Sequence, residues 1–448
     1  MMPTPLTPSS PPDNFLHGGG EMGAATRALD WEATPLGPPA HWPRSLKTIV
    51  RMMLDSRYAM WLAWGPQLTF FCNDAYRPTL GAKRDFLGAP ASCVWAEIWP
   101  EIGPRIQHVL DHGEATWDEG LLLFLTRSGF VEETYHSFSY SPVHGDDGLV
   151  QGMLCVVTEE TARVLSARRL ASLSALSSAC SADIQATAKN AMRTLAENRR
   201  DLPFGVAYLC EPGAARATLV ASFGHPAPTA HVPIDEAGEP WPFAQVVASG
   251  EPVMVDAPEP GSAAWPASPW GEPIAQALVV PFQQPGAGGA VFGFLVAGIS
   301  PRLPFDAEYR RYLLLAATQM ANSIAAARAL ADAQRQAEAL AELERAKTAF
   351  FSNISHELRT PLTLIIGPLR DLLARADTPA AARHELGLMA RNAERLLKLV
   401  NLLLDFSRIE AGRLEARFIP TALAPLTREL AGAFRAAIEQ AGFAFEVQ

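Results

Sequence analysis

No segment of this 448-residue chain offers the roughly 18 consecutive apolar residues that a membrane-spanning helix needs, so no span is expected. Cysteine is scarce. The five present, Cys72, Cys93, Cys155, Cys180 and Cys210, show no CxxC spacing, so neither a zinc site nor a disulfide framework is signalled. Basic residues are outnumbered, 37 Lys plus Arg against 47 Asp plus Glu, giving a net charge of −10. That balance argues against a phosphate-backbone footprint, and nucleic acid is not an expected partner. The opening MMPTPLTPSSPPDN lacks the basic start and apolar run of a secretion signal, which makes the cytoplasm the expected compartment. Gly18-Gly19-Gly20 and Gly286-Ala287-Gly288-Gly289 are read as turns and not phosphate cradles, since neither is followed by a helix and a Lys-Ser/Thr pair.

What is present divides by composition, and the length suggests about three domains. Residues 1–29 read as a disordered or irregular N-terminus. Residues 30–162 hold seven of the ten tryptophans, which need a core or a pocket. Their strand candidates are MWLAW, LTFF, GLLLFLT, TYHSFSYSPV and GMLCVVTEE, with the turn HGDDG between the last two. Two strands, helices carrying NDAYRPTLG, three strands and a departing helix at TARVLSARRL form an order that resembles a PAS sensor domain. Cys72 in FFCNDAY reads as a small core residue and not as a flavin-linking thiol. His108 and His112, at i and i+4, lack a third ligand for zinc and read as a solvated helix face.

Residues 168–328 begin with a helix over SLSALSSACSADIQATAKNAMRTLAEN, continue with strands FGVAYLC and ATLVASF and a Pro-rich middle, and close on a hairpin of QALVVPF and VFGFLVAGIS. This order looks like a GAF domain; His225 and His231 read as surface residues of its loops. Residues 329–348 are rich in Ala, Gln, Glu and Arg, with Leu330, Ala333, Ala337 and Leu340 spaced 3-4-3 before a shift of frame. A coiled-coil connector fits, and a plain rigid linker helix would share the composition.

From residue 349 to 413, Phe351, Ile354, Leu358, Leu362, Ile365, Leu369 and Leu372 repeat at 3 and 4, and Leu386, Met389, Ala393, Leu396, Val400 and Leu403 do so again after a short loop. Two such seams make a helical hairpin, and a homodimeric four-helix bundle would cover its apolar stripe. The fold class expected overall is therefore two α+β modules followed by an all-α dimerisation domain. At about 100° per residue, His356 points roughly 160° away from the seam, so it is exposed, with Thr360 on the same outer face and Glu357 at the flank. A neutral imidazole is a workable nucleophile near pH 7, and a neighbouring carboxylate can hold its Nδ1–H and make Nε2 more basic. Glu357 is placed for that role, and Thr360 could position a water. Pro361 has no N–H for the carbonyl of Glu357, which lets the helix bend beside His356.

The string FFSNISHELRTPLTLI is similar to the phosphoacceptor box of sensor histidine kinases, and NAERLLKLVNLLLDFSRIEAGRLE resembles the partner helix of the same domain. The resemblance implies that His356 accepts the γ-phosphoryl of ATP and passes it to an aspartate of a response-regulator receiver domain. Glu357 would assist transfer, and Thr360 would support dephosphorylation of the regulator. ATP and Mg are expected for such a kinase, yet neither the Asn-rich box nor a DxGxG box of its ATP-binding domain occurs in this sequence. Residues 414–448 look like the first strand, helix and second strand of that domain, so a fragment of a longer kinase is the expectation. The alternative is a non-catalytic sensory dimer or phosphotransfer scaffold served by a kinase domain elsewhere. A small-molecule ligand is one expectation for the sensor modules, and simple dimerisation of either module is the other.

Overall fold

The structure, a computed structural model, describes residues 14–178, 181, 183–211, 213–226, 228–235, 240–258, 265–283, 290–375, 379–410 and 419–446. Contacts divide the chain into two compact units, Met1–Ala331 and Asp332–Gln448. Cys180 and the 286–289 turn lie outside the described residues.

The first unit opens with helices α1 (Gly20–Ala28) and α2 (Arg44–Asp55). Some of the stretch expected to be irregular is thus helical, because it has core to bury: Leu16 and Met22 sink among Trp31, Trp42 and Leu46. A helix does follow the first glycine cluster, against expectation, but its N-terminus already has its anion. The Asp74 carboxylate accepts from the amides of Glu21 (3.0 Å) and Met22 (2.6 Å), where a helix dipole favours negative charge. Gly20 permits that approach; a Cβ there would sit 1.7 Å from an Asp74 oxygen.

Strands β1 (Ala59–Trp64), β2 (Thr69–Cys72), β3 (Thr116–Leu125), β4 (Glu132–His144) and β5 (Val150–Glu159) form one sheet in the order β2-β1-β5-β4-β3, antiparallel throughout. Short helices α3 (Arg77–Leu80) and α4 (Ala91–Val94) and the longer α5 (Trp99–His112) pack Leu80, Val94, Ile102, Ile106 and Val109 into its core. Five of the seven tryptophans are buried there, whereas Trp117 on edge strand β3 is 66% exposed. Cys72 is a core residue, and burial pushes its thiol up to about 12.

A second sheet has six strands: β6 (Gly205–Cys210), β7 (Arg216–Phe223), β8 (His231–Pro233), β9 (Val253–Asp256), β10 (Gln276–Gln283) and β11 (Val291–Gly298), ordered β8-β7-β6-β11-β10-β9. One face carries helices α6 (Thr161–Ser177), α7 (Ile184–Ala196) and the start of α9 (Ala307–Ala374). The other is closed by α8 (Phe243–Ser249) and an aromatic group that includes Phe204, Trp241 and Phe294. The single helix expected over SLSALSSACSADIQATAKN is two, because Asp183 caps a new start by accepting from the Ala186 amide at 2.7 Å. His225, expected at the surface, is half-buried: its ring lies 5.5 Å from Phe204 and 6.3 Å from Trp241, and burial lowers its pKa.

The second unit consists of the later stretch of α9, α10 (Ala380–Glu410) and α11 (Leu423–Gln440). Neither 419–422 nor 441–446 is a strand, unlike the expectation for the C-terminal segment. Among the described residues this unit has no sheet with which such segments could pair.

Candidate functional site

His356 sits on α9 with its side chain in solvent, and Glu357 and Thr360 are exposed as well, so all three residues singled out from the sequence are solvent-accessible. The Thr360 hydroxyl donates to the backbone carbonyl of His356 at 3.2 Å. Its hydrogen is therefore directed into the helix, while the oxygen retains acceptor capacity for a water. One turn on, Thr363 makes the same kind of bond to the Arg359 carbonyl at 2.9 Å. Pro361 lies inside a helix that remains continuous through it, so the lost backbone bond to Glu357 does not end the element.

Two polar ties hold α9 against α10. Arg359 donates to Asn401 Oδ1 at 3.0 Å, and Arg370 donates to Glu394 Oε1, also at 3.0 Å. Between them runs an open groove whose walls include Thr363, Ile366, Arg370, Glu394, Lys398 and Asp405. The apolar seam divides. Leu362, Ile366, Ala390 and Val400 are buried between the helices, and Ile366 takes the inward position expected for Ile365. Leu358, Ile365 and Leu372, at 42, 50 and 38% exposure, leave a second stripe uncovered, as do Met389, Leu396 and Leu403 at 60, 51 and 45%. Each trio repeats every seven residues, which is the spacing of a seam that faces another helix.

The first unit holds a separate feature, a small, partly open cavity of about 30 Å³ between sheet and helices. It has room for one or two waters. Trp61, Tyr76, Trp95, His136, Tyr140 and Cys155 are among its walls, and the buried Trp95 Nε1–H has no acceptor among the described residues. The hydroxyl of Thr134 donates to the Leu123 carbonyl at 2.9 Å, so at 3.1 Å it accepts from His136 Nε2–H, which leaves Nδ1 as the unprotonated nitrogen. Burial lowers the His136 pKa to about 4, with Glu159 raising it and Arg127 lowering it further. His136 was not singled out from the sequence. The available signal was its alternation with Phe138 and Tyr140, which puts all three on one face of β4. His108 and His112 stack with centroids 4.4 Å apart on the exposed side of α5, away from the cavity that Ile98 and Ile102 help to line.

Comparison with known proteins places two of these regions. Residues 346–412 match the His Kinase A (phospho-acceptor) domain, and residues 181–325 match the GAF domain. Hybrid signal transduction histidine kinase D of Dictyostelium discoideum is 41% identical over 110 residues, 25% of this chain and 7% of that protein. Sensor histidine kinase TmoS of Ectopseudomonas mendocina is 34% identical over 112 residues, 25% and 12% of the two chains. Signal transduction histidine-protein kinase BarA of Escherichia coli K12 is 46% identical over 79 residues, 18% of this chain and 8% of that one. The chain thus spans about a tenth of the length of these curated relatives. Among solved structures, the GAF domain of an Acinetobacter phosphoenolpyruvate-protein phosphotransferase aligns with 19% identity and a TM-score of 0.28, over 37% of this chain and 95% of that one. No helix of the described residues is long and apolar enough to cross a membrane.

Proposed function

We propose that the chain acts in two-component signalling as a sensor histidine kinase in which His356 is the phosphoacceptor. The carrying observation is an exposed imidazole on α9 inside a segment that matches the phospho-acceptor domain. The Nε2 lone pair attacks the γ-phosphorus of ATP; an N–P bond forms as the bond to the ADP oxygen breaks, and that oxygen keeps the electron pair. Glu357 accepts the Nδ1–H and stabilises the positive charge that develops on the ring. The phosphoryl group then passes to a receiver-domain aspartate, with Thr360 orienting the water that later hydrolyses it. ATP and Mg are bound by a nucleotide domain whose motifs this sequence does not contain. The alternative reading is a phosphotransfer scaffold charged by another protein's kinase domain.

A homodimer is supported by the two uncovered heptad stripes on α9 and α10. A PAS-like role for the first module is supported by its strand order β2-β1-β5-β4-β3 and its cavity. In this reading the PAS-like and GAF-like modules govern His356.

The test supplies a histidine-kinase ATP-binding domain in trans, with labelled ATP and Mg. The wild-type chain takes up an acid-labile, base-stable phosphoryl group. His356→Gln abolishes the label, Glu357→Gln slows its appearance, and Thr360→Ala leaves labelling intact while slowing loss of phosphate from the receiver domain. Full labelling of His356→Gln would remove the reading, whereas labelling from ATP without added domain would reject only the scaffold alternative.

A further inference from the structure

Strand β4 has two faces that meet different things. Thr134, His136, Phe138 and Tyr140 alternate on one face, and the last three line the cavity. Glu133 and Tyr135 point the other way, into a buried polar cluster that belongs to both α+β modules. Arg168 on α6 forks between two fully buried carboxylates, donating to Glu133 Oε1 at 2.6 Å and to Asp201 Oδ1 at 2.8 Å. Burial disfavours the guanidinium charge, but hydrogen bonds and charge from Asp201 and Glu133 outweigh it and raise its pKa.

The cluster extends in two directions. Toward β4, Arg200 donates to the Tyr135 hydroxyl at 2.7 Å, which donates to Glu133 at 2.8 Å. Toward α9, Asn198 donates to Asp201 at 2.9 Å and to the Tyr312 hydroxyl at 3.2 Å, and Tyr309 donates its hydroxyl to the Asp201 backbone carbonyl. Arg169 stands 3.5 Å from Asp201 and lies over the Tyr309 ring at 4.7 Å. A backbone bond from the Glu133 amide to the Arg302 carbonyl, 2.9 Å, crosses between the modules as well. Arg302 in turn lies 4.1 Å over Phe124 of β3 while it pairs with Glu272 at 2.9 Å.

Buried charges of this kind bind their partners together, because removing one leaves another uncompensated in a dry site. We propose that Arg168, with Glu133 and Asp201, is a polar lock that makes the two α+β modules one mechanical unit and delivers a displacement of β4 at the cavity to the first turns of α9. Since α9 also carries His356, this deepens the sensor reading above, but the lock itself is a statement about β4 and α9 and is tested without phosphorylation.

Hydrogen–deuterium exchange on the full chain reads it. Phe138→Ala disturbs β4 from the cavity side. In an otherwise wild-type chain it raises exchange about tenfold both in residues 133–136 and in residues 307–316. In an Arg168→Met background β4 still responds, while the change in 307–316 shrinks to less than twofold. If Arg168→Met does not fold, Arg168→Lys replaces it, since an ammonium keeps the charge but cannot fork to both carboxylates. An equal α9 response with and without Arg168 overturns the proposal. So does a β4 response that never reaches α9, and so does a β4 that fails to respond.

Discussion

Arg359 donates a guanidinium N–H to Oδ1 of Asn401 across 3.0 Å and so fastens the turn that follows His356 to the facing helix. The bond is partly buried, and such a bond contributes about 1 kcal/mol. Asn401→Ala is expected to lower the stability of the helical hairpin by about that amount, read as an earlier urea midpoint for loss of helix. Because His356 is on the exposed side of α9, labelling of His356 by a supplied ATP-binding domain should stay within a few-fold of wild type. An unchanged midpoint would show that the tie has no structural weight.

The second stripe of α9 gives a sharper expectation. Ile365 is 50% exposed although it is flanked at heptad spacing by Leu358 and Leu372, and the hairpin's own core uses Ile366 instead. Ile365→Glu should therefore leave helix content unchanged and shift the chain from dimer to monomer in sedimentation analysis. Ile366→Glu should unfold the hairpin. A wild-type chain that sediments as a monomer at micromolar concentration would end the dimer reading.

These two isoleucines mark where sequence reasoning stops. The 3-and-4 periodicity identifies two apolar helices, but α9 is apolar on two adjacent stripes, and which one meets α10 depends on the hairpin's rotation. Nine of the eleven described strands were legible because alternation and turn residues are local, whereas β8 and β9 went unread in the Pro-rich middle. The exposure of His356 and Thr360 was legible because a helix fixes their outer face, with Glu357 at its flank. The Arg168 lock was not. Its carboxylates lie 35 and 33 residues away along the chain and Tyr312 lies 114 from Asn198, with no local pattern to join them. The split between α6 and α7 was locally encoded at Asp183, but the helix-forming alanines around it concealed the cap.

Asn73 does more than follow a cysteine in FFCNDAY. Its Oδ1 accepts from the amides of Met60 (3.0 Å) and Tyr76 (3.1 Å), and its Nδ2 faces the carbonyls of Met53, Ser56 and Tyr58 at 3.1, 3.1 and 2.7 Å. The side chain has no exposure and ties α2, β1 and the turn after β2. Asn73→Ala strands several buried backbone groups and should cost roughly 3 kcal/mol. Asn73→Asp should cost at least as much, since a carboxylate has no N–H to donate and would face these carbonyls with like charge. Melting temperatures of the two variants check the order.

Buried His136 should make the first unit acid-sensitive. In the folded chain its pKa is about 4, against an ordinary value of 6.5. Between those values the unfolded chain takes up a proton that the folded chain refuses, so stability falls as pH drops from 6.5 and the loss is complete near 4. The difference amounts to roughly 3 kcal/mol. His136→Asn, compared with wild type across that window, should flatten this segment of the slope. Identical slopes for the two proteins would show that His136 is not the titrating group.

Pro361 is the last feature with a measurable consequence. Inside α9 it withholds one backbone bond from the carbonyl of Glu357, next to the phosphoacceptor, yet the helix continues through it. A proline in a helix interior costs about 3 kcal/mol relative to alanine, so Pro361→Ala should raise the thermal stability of the hairpin. If the weakened turn is what lets His356 change its presentation, the substitution also has a functional effect. The ratio of His356 labelling rates between the chain and its Phe138→Ala cavity variant, both read with an ATP-binding domain in trans, should shrink toward one. A stabilised hairpin with an unaltered ratio would leave Pro361 a cost to stability without a role in signalling.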